Sequence, residues 1–382
     1  MDFQRPRALD VVFGRSYNSL SDEEKRCFRI LGIFAPGSTV DDAALAALWR
    51  TDDPVAVRKA LLRSALLGRA SKSQVQPVPA ADDEEQPPRY TQHGLLRAYA
   101  RALLTDHGEF DATFNAYADC FTARAHAVYG DLADKPEQWH HHAADLPDIT
   151  ALGDVLLERT TNGTIAGTTN DLQRVISFVY STYNYVHRRM EAGKWPWLEM
   201  GLNAVRTLRK GNPDDETFIR REGLFLNELG LVWHTLGESR KALELHEQAL
   251  VVDLLLGDQS SEATTLNNIG HVWFGLGELR RALGFYERAL TLDLASGDHG
   301  SRAITLINIG LTLSALGEKH QAIEYYEQAL TLTRAAGDLG GEAATLNNIG
   351  LAWSELGEKR QAIEYYEQAL PVFRTVGDRV GE

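Results

Sequence analysis

Gly230, Gly270, Gly310 and Gly350 stand 40 residues apart, and the chain around them repeats with the same step. Gly237, Gly277, Gly317 and Gly357, each followed by Glu, keep the register, as do Ala242, Ala282, Ala322 and Ala362. Ala-Leu pairs at 249, 289, 329 and 369 and Gly-Asp pairs at 257, 297, 337 and 377 complete each unit. A period of this length limits the fold severely. One unit is too small to bury its own apolar stripe, so it must stack on the next, and the product is a solenoid.

Within a unit the apolar residues recur at helical spacing in two runs, such as LNNIGLAWSEL at 346–356 and QAIEYYEQAL at 361–370. A Leu-Gly-Glu turn joins them, its glycine suited to a left-handed helix end. Gly350 and Ala362 lie where two helices must approach closely, and Trp353 and Tyr366 fill the space beside them. In the copy at 259–298 the series Leu266, Ile269-Gly270, Trp273, Ala282, Tyr286 and Ala289 resembles the tetratricopeptide repeat family. A Gly-Asp turn replaces the terminal proline of the common 34-residue form, and the longer, 40-residue unit is similar to the kinesin-light-chain and nucleotide-switch-associated versions. His246 stands at the second-helix aromatic site of the first copy, and Leu313 replaces Trp in the third.

The resemblance implies a right-handed superhelix whose first helices line a concave groove. Groove positions carried over from the family are Asn227, Asn267, Ile307 and Asn347; Leu231, His271, Leu311 and Leu351; and His234, Phe274, Ser314 and Ser354. The set is amide, apolar and nearly uncharged. An Asn side chain carries two donors and an acceptor that match a peptide bond, so the Asn series reads either as a ladder along an extended protein or peptide ligand or as structural partners of neighbouring helix ends. Asn268, Asn308 and Asn348 suit the structural role better.

Ahead of the repeats, residues 8–18, 21–34, 41–49 and 54–68 read as helices, ALLGRA (65–70) and RYTQ (89–92) as short strands, and HGLLRAYARALL (93–104) as a final helix. Ser21 and Glu24 form a capping box, and Asp53-Pro54 starts a helix. The Pro-, Gln- and acid-rich stretch between the strands reads as a mobile tip. The order SYNSLSDEEKRCFRILGIFAPG, LAALW, ALLRSALLGRA, RYTQHGLLRAYARALL resembles the winged-helix part of NB-ARC nucleotide-switch ATPases of the STAND class. In that family a Met-His-Asp motif opens the helix after the wing. Here it is Gln92-His93-Gly94, and the resemblance gives His93 contact with the β-phosphate of ADP held by an ATPase domain; the other reading is that His93 caps its own helix. No G-x-x-x-x-G-K-[ST] loop occurs in the chain, so no independent ATP hydrolysis and no bound cofactor is expected, ADP or ATP belonging to a longer parent from which the chain would be cut.

The expected fold class is therefore all-α: a winged-helix domain at 1–107, a helical linker at 108–170, one degenerate repeat at 171–215 and four good repeats at 216–382. Tyr365, Phe373 and Val376 form an exposed end face open to self-association. Residues 216–382 hold 14 Lys or Arg against 24 Asp or Glu, which disfavours nucleic acid. Arg58, Lys59 and Arg63 still mark a candidate DNA-reading helix. His140, His141 and His142 are consecutive and point about 100° apart on a helix, so no metal site is expected. No catalytic constellation stands out. With no apolar run of bilayer length and no signal-peptide core at the N-terminus, the expected compartment is the cytoplasm. The leading functional expectation is a protein- or peptide-binding sensor of a STAND-type signalling or immune switch. A free-standing adaptor and a DNA-binding regulator are the alternatives.

Overall fold

The computed structural model describes residues 7–71, 88–130, 144–163, 168–189 and 194–376, and the chain divides into two compact units, 1–204 and 205–382. The expected wing tip and His140–His142 lie outside the described residues.

The first unit opens with α1 (Arg7–Asn18) and α2 (Asp22–Ile30). The capping box forms as read: Ser21 Oγ accepts from Glu24 N at 3.3 Å, and the Glu24 carboxylate accepts from Ser21 N at 2.8 Å. A 3-10 turn (Leu31–Ile33) closes α2, followed by β1 (Val40–Asp41), α3 (Asp42–Trp49), α4 (Pro54–Arg63), β2 (Gly68–Arg69), β3 (Arg89–Thr91) and α5 (Gly94–Asp106). The three strands pair antiparallel in the order β1-β3-β2, with Val40 opposite Tyr90 and Gly68 opposite Thr91. β1 escaped the sequence reading because two residues show no alternation. Phe28, Trp49, Leu61 and Tyr99 fill the core, and Trp49 Nε1 donates to Cys27 O at 2.9 Å, which satisfies the one polar atom of that ring.

The connecting segment is α6 (Phe110–Ala125), a π turn (His126–Gly130) and α7 (Leu146–Thr161). Charges tie it to the sheet. Arg124 donates to both carboxylate oxygens of Asp41 at 3.0 and 2.7 Å and to Asp145 at 2.8 Å, while Arg89 reaches Asp145 at 2.6 Å. Burial alone would raise the Asp41 carboxyl, but the Arg124 hydrogen bonds, the Ala44 amide and the nearby cations hold it below its ordinary value. Asp148, fully buried, accepts from Ala35 N at 2.7 Å and Tyr117 Oη at 2.9 Å, and burial pushes its carboxyl up to about 6. Next come α8 (Thr169–Arg189) and α9 (Pro196–Gly211), which cover the stretch expected to be a degenerate repeat; the boundary between units falls inside α9.

The second unit is four helix pairs, as the period requires: α10 (Glu216–Thr235) with α11 (Ser239–Leu256), α12 (Gln259–Gly275) with α13 (Leu279–Ser296), α14 (His299–Ala315) with α15 (Lys319–Ala336), and α16 (Leu339–Glu355) with α17 (Lys359–Val376). The two helices of each pair pack on each other, and each of the first three pairs packs on the one that follows. The Gly-Asp dipeptides set the link between pairs. Gly257, Gly297 and Gly337 take the left-handed conformation that ends a helix, and Asp258, Asp298 and Asp338 accept from the amides of Ser261, Ser301 and Gly341 to start the next. The central glycines serve close approach: a Cβ on Gly310 would lie 2.4 Å from the Tyr326 ring, and one on Gly270 2.6 Å from that of Tyr286.

Candidate functional site

The first helix of each pair presents the residues singled out for a groove, and burial sorts them into two groups. Asn227 and Asn267 are 9% and 7% exposed. Asn227 Nδ2 donates to Thr265 Oγ1 at 2.6 Å, and Asn267 Nδ2 to Thr305 Oγ1 at 2.7 Å, each bond crossing to the first helix of the following pair. The threonines in turn donate to Asp253 and Asp293 at 2.6 Å. These two asparagines are therefore joint fasteners, and the continuous ligand-gripping ladder does not exist. A buried amide must be paired, and the neighbouring repeat supplies the pair before any ligand arrives. Asn308, half-buried, adds a bond to Asn267 Oδ1 at 3.4 Å.

The remaining positions stay open in varying degree. Leu231, His234, Phe274, Ile307 and Ser314 are half-buried; His271, Asn347 and Ser354 are exposed; Leu311 and Leu351 are exposed at 36% and 47%. Ser314 accepts from Lys319 Nζ at 3.0 Å, and Lys319 also pairs with Glu355. The rings of His234 and His271 meet edge to face at 4.9 Å, bringing the first two pairs together on this face. Partial desolvation by the surrounding side chains lowers the pKa of both, with His271 adding to the effect on His234. The face thus offers apolar side chains at the repeat pitch, set among neutral hydrogen-bonding groups.

The sequence reading missed the polar relay at the first joint. His246 takes the site filled by Tyr286 and Tyr326 in the next two copies, packs on Gly230, and its Nδ1 lies 2.8 Å from Asn227 Oδ1. Because Asn227 Nδ2 is committed to Thr265, Oδ1 accepts and His246 Nδ1 carries the proton. A signal was present: Thr265, Thr305 and Thr345 recur at one register, as do Asp253 and Asp293. Burial, with His234 and His271 nearby, pushes His246 down to about 4, whereas burial pushes Asp253 up to about 6 despite its Thr265 bond. His246→Tyr tests this. A depressed histidine stabilises the fold above its unfolded value of about 6.5 and loses that contribution as pH falls toward 4. The variant is expected to gain on the parent by about 3 kcal/mol between pH 7 and 4, read as the difference between urea midpoints. Asp253, whose raised pKa works in the opposite sense, cancels in that difference.

In the first unit His93 is exposed at the start of α5, where its Nδ1 accepts from Leu95 N at 3.3 Å. Arg58 of α4 is committed to Asp42 and lies 5.2 Å over the Tyr90 ring, which leaves Lys59 and Arg63 as the cations of the candidate DNA-reading helix that line its open surface. Among the described residues no group of His, Cys, Asp or Glu is placed to hold a metal ion, and no helix is long and apolar enough to cross a membrane.

The tetratricopeptide repeat family model matches residues 261–335 and 301–375. These segments are tetratricopeptide repeats. No curated protein matches the chain. Among solved structures, the apo form of RapI is similar with a TM-score of 0.51 at 15% identity, over 74% of this chain and 71% of RapI. BtubC from P. vanneervenii has a TM-score of 0.47 at 20% identity, over 58% of this chain and 92% of its own. A STAND ATPase with a tetratricopeptide repeat sensor from Pyrococcus horikoshii has a TM-score of 0.42 at 15% identity, over 97% of this chain and 60% of its own. The tetratricopeptide array accounts for the register of Gly310 on Tyr326 and Gly270 on Tyr286, the close approach that distinguishes this repeat from a generic helix pair.

Proposed function

We propose that the chain is a protein- or peptide-binding regulatory module, with the ligand held on the first-helix face of the tetratricopeptide array. The observation that carries this reading is the exposure of Leu311 and Leu351 at equivalent positions of successive repeats, flanked by Phe274, Ser354 and Asn347. Leucines left partly open to solvent at a fixed pitch suit alternate side chains of a bound polypeptide. Since Asn227 and Asn267 are consumed by the joints, selectivity falls to the apolar anchors and to the His234–His271 pair rather than to an amide ladder.

The finer reading makes the module the sensor of a STAND-type switch. Three antiparallel strands in the order β1-β3-β2, α4 ahead of β2 and a long link between β2 and β3 support a winged helix in the first unit. In this reading the winged helix relays ligand binding to an ATPase domain on a longer parent, in the cytoplasm, and His93 touches the nucleotide phosphate there. This sequence has no phosphate-binding loop, so in this reading ATP hydrolysis belongs to the ATPase domain of the parent. An adaptor that only scaffolds partners is the second reading.

Selection of a displayed random peptide library on the protein tests the groove. Enriched peptides are expected to lose at least tenfold in affinity on the Leu311→Asp/Leu351→Asp double variant, since burying an unpaired carboxylate costs several times RT. Both positions are exposed, so the helical circular dichroism is expected to stay unchanged. Peptides that bind parent and variant equally would remove this face from consideration.

A further inference from the structure

The row of leucines on the groove face is interrupted once. Leu231, Leu311 and Leu351 directly follow the central glycines of the first, third and fourth pairs, and His271 holds that register in the second. His271 is exposed, as Leu311 and Leu351 are. The row therefore offers side chains at the repeat pitch, one of which can take up a proton in the range of mild acid.

The surroundings of His271 favour its neutral form. The His234 ring stands edge to face against it at 4.9 Å. Gly275 leaves room for that ring: a Cβ there would lie 3.0 Å from His234 Cε1, and the other copies carry Thr235, Ala315 and Glu355 at this register. His234 Nδ1 is buried with no hydrogen-bond partner among the described residues, so His234 offers no second place for a proton. The ionisable groups on the helices packed around α12 include Glu228 on α10, His246 and Asp253 on α11, Arg281 on α13 and Arg302 on α14. His246 is bonded to Asn227, Asp253 to Thr265, and Arg281 lies 4.7 Å over Trp273. No carboxylate or cation acts on His271, whose pKa is lowered by desolvation alone.

We propose that His271 makes the groove acid-releasing: the bound polypeptide lays an uncharged, apolar side chain on the His271 ring, as on Leu311 and Leu351, and protonation of His271 expels it. This rests on the groove reading above. The direction follows from desolvation. A neutral imidazole under an apolar group loses little, whereas an imidazolium covered in the same way gives up water and finds no carboxylate in return. The occupied groove thus resists protonation more than the free groove does, and affinity falls as pH drops through the titration of the free groove. A carboxylate-bearing ligand would reverse the sign, but residues 216–382, with 14 Lys or Arg against 24 Asp or Glu, repel one.

The test uses end-capped peptides from the library selection at pH 7 that contain no Asp, Glu, His, Lys or Arg, so that only the protein titrates. Fluorescence anisotropy with the full chain is expected to show affinity weaker by at least about threefold at pH 5 than at pH 7. His271→Leu, which places the residue of the other copies in the row, is expected to hold the same peptides within about twofold across that range. Parent affinity that ignores pH would overturn the proposal. So would affinity that rises in acid, which would give the imidazolium an oxygen acceptor on the peptide, or a loss in acid that persists in His271→Leu, which would put the titrating group elsewhere. Failure of the groove reading shows separately, as peptides indifferent to Leu311→Asp/Leu351→Asp.

Discussion

Replacing Gly32 by alanine is expected to lower the stability of the first unit by about 3 kcal/mol, the upper part of the range for overpacking a close-packed core. A Cβ at this position would lie 2.3 Å from Arg101 N, 2.5 Å from Arg101 Cα and 2.7 Å from Ala100 C. These are backbone atoms of α5, so no rotamer change relieves the overlap, and the turn after α2 must separate from α5. Ala100, Leu103 and Tyr99 would then lose burial together. Guanidinium unfolding followed by tryptophan fluorescence and circular dichroism checks this. Gly94→Ala is the control: nothing lies within 4 Å of a Cβ there, and at the first position of α5 alanine is expected to be neutral or stabilising by about 0.5 kcal/mol. A stable Gly32→Ala protein would mean that α2 and α5 do not pack as described.

Arg124→Met carries the second large effect. The arginine joins Asp41, at the edge of the sheet, to Asp145, just ahead of α7, while Arg89 bonds Asp145 and lies 3.5 Å from Asp41. Removing one member of a mostly buried set leaves two carboxylates facing one guanidinium, and such losses cost about 3–5 kcal/mol. The pH dependence identifies the cause. Asp41 has a depressed pKa, so its contribution is present above the ordinary carboxylate value and is lost as pH falls through the depressed one. The gap between parent and Arg124→Met is therefore expected to be largest near pH 7 and to shrink as pH drops below about 4. A gap that does not change with pH would assign the loss to packing of the arginine stem instead.

Much of the array was readable before any coordinates. The step of 40 residues located the helix pairs, the Leu-Gly-Glu and Gly-Asp turns located their ends, and Ser21 with Glu24 located the start of α2. These features are local: a cap or a left-handed glycine acts within a few residues, so chain order alone specifies it. The groove was only partly legible. Leu311 and Leu351 are open as the register implies, yet Asn227 and Asn267, chosen on the same register, are closed over by Thr265 and Thr305. The choice between ligand and neighbour as the partner of an amide depends on where another helix lies. The first unit shows the same limit, since β1 exists only because Val40 and Asp41 find Tyr90 and Arg89 across the sheet.

The sequence by itself determined the two-helix unit, its number of copies and the close approach at each central glycine, because period and small residues are properties of the chain. Tertiary structure alone decided which polar groups are fasteners and which remain available, and that two copies of one decapeptide differ in exposure. The reason is that burial belongs to a position in a stack: Ile323 and Ile363 sit in two copies of the decapeptide QAIEYYEQAL, and among the described residues only Ile323 has a helix, α16, packed over its own.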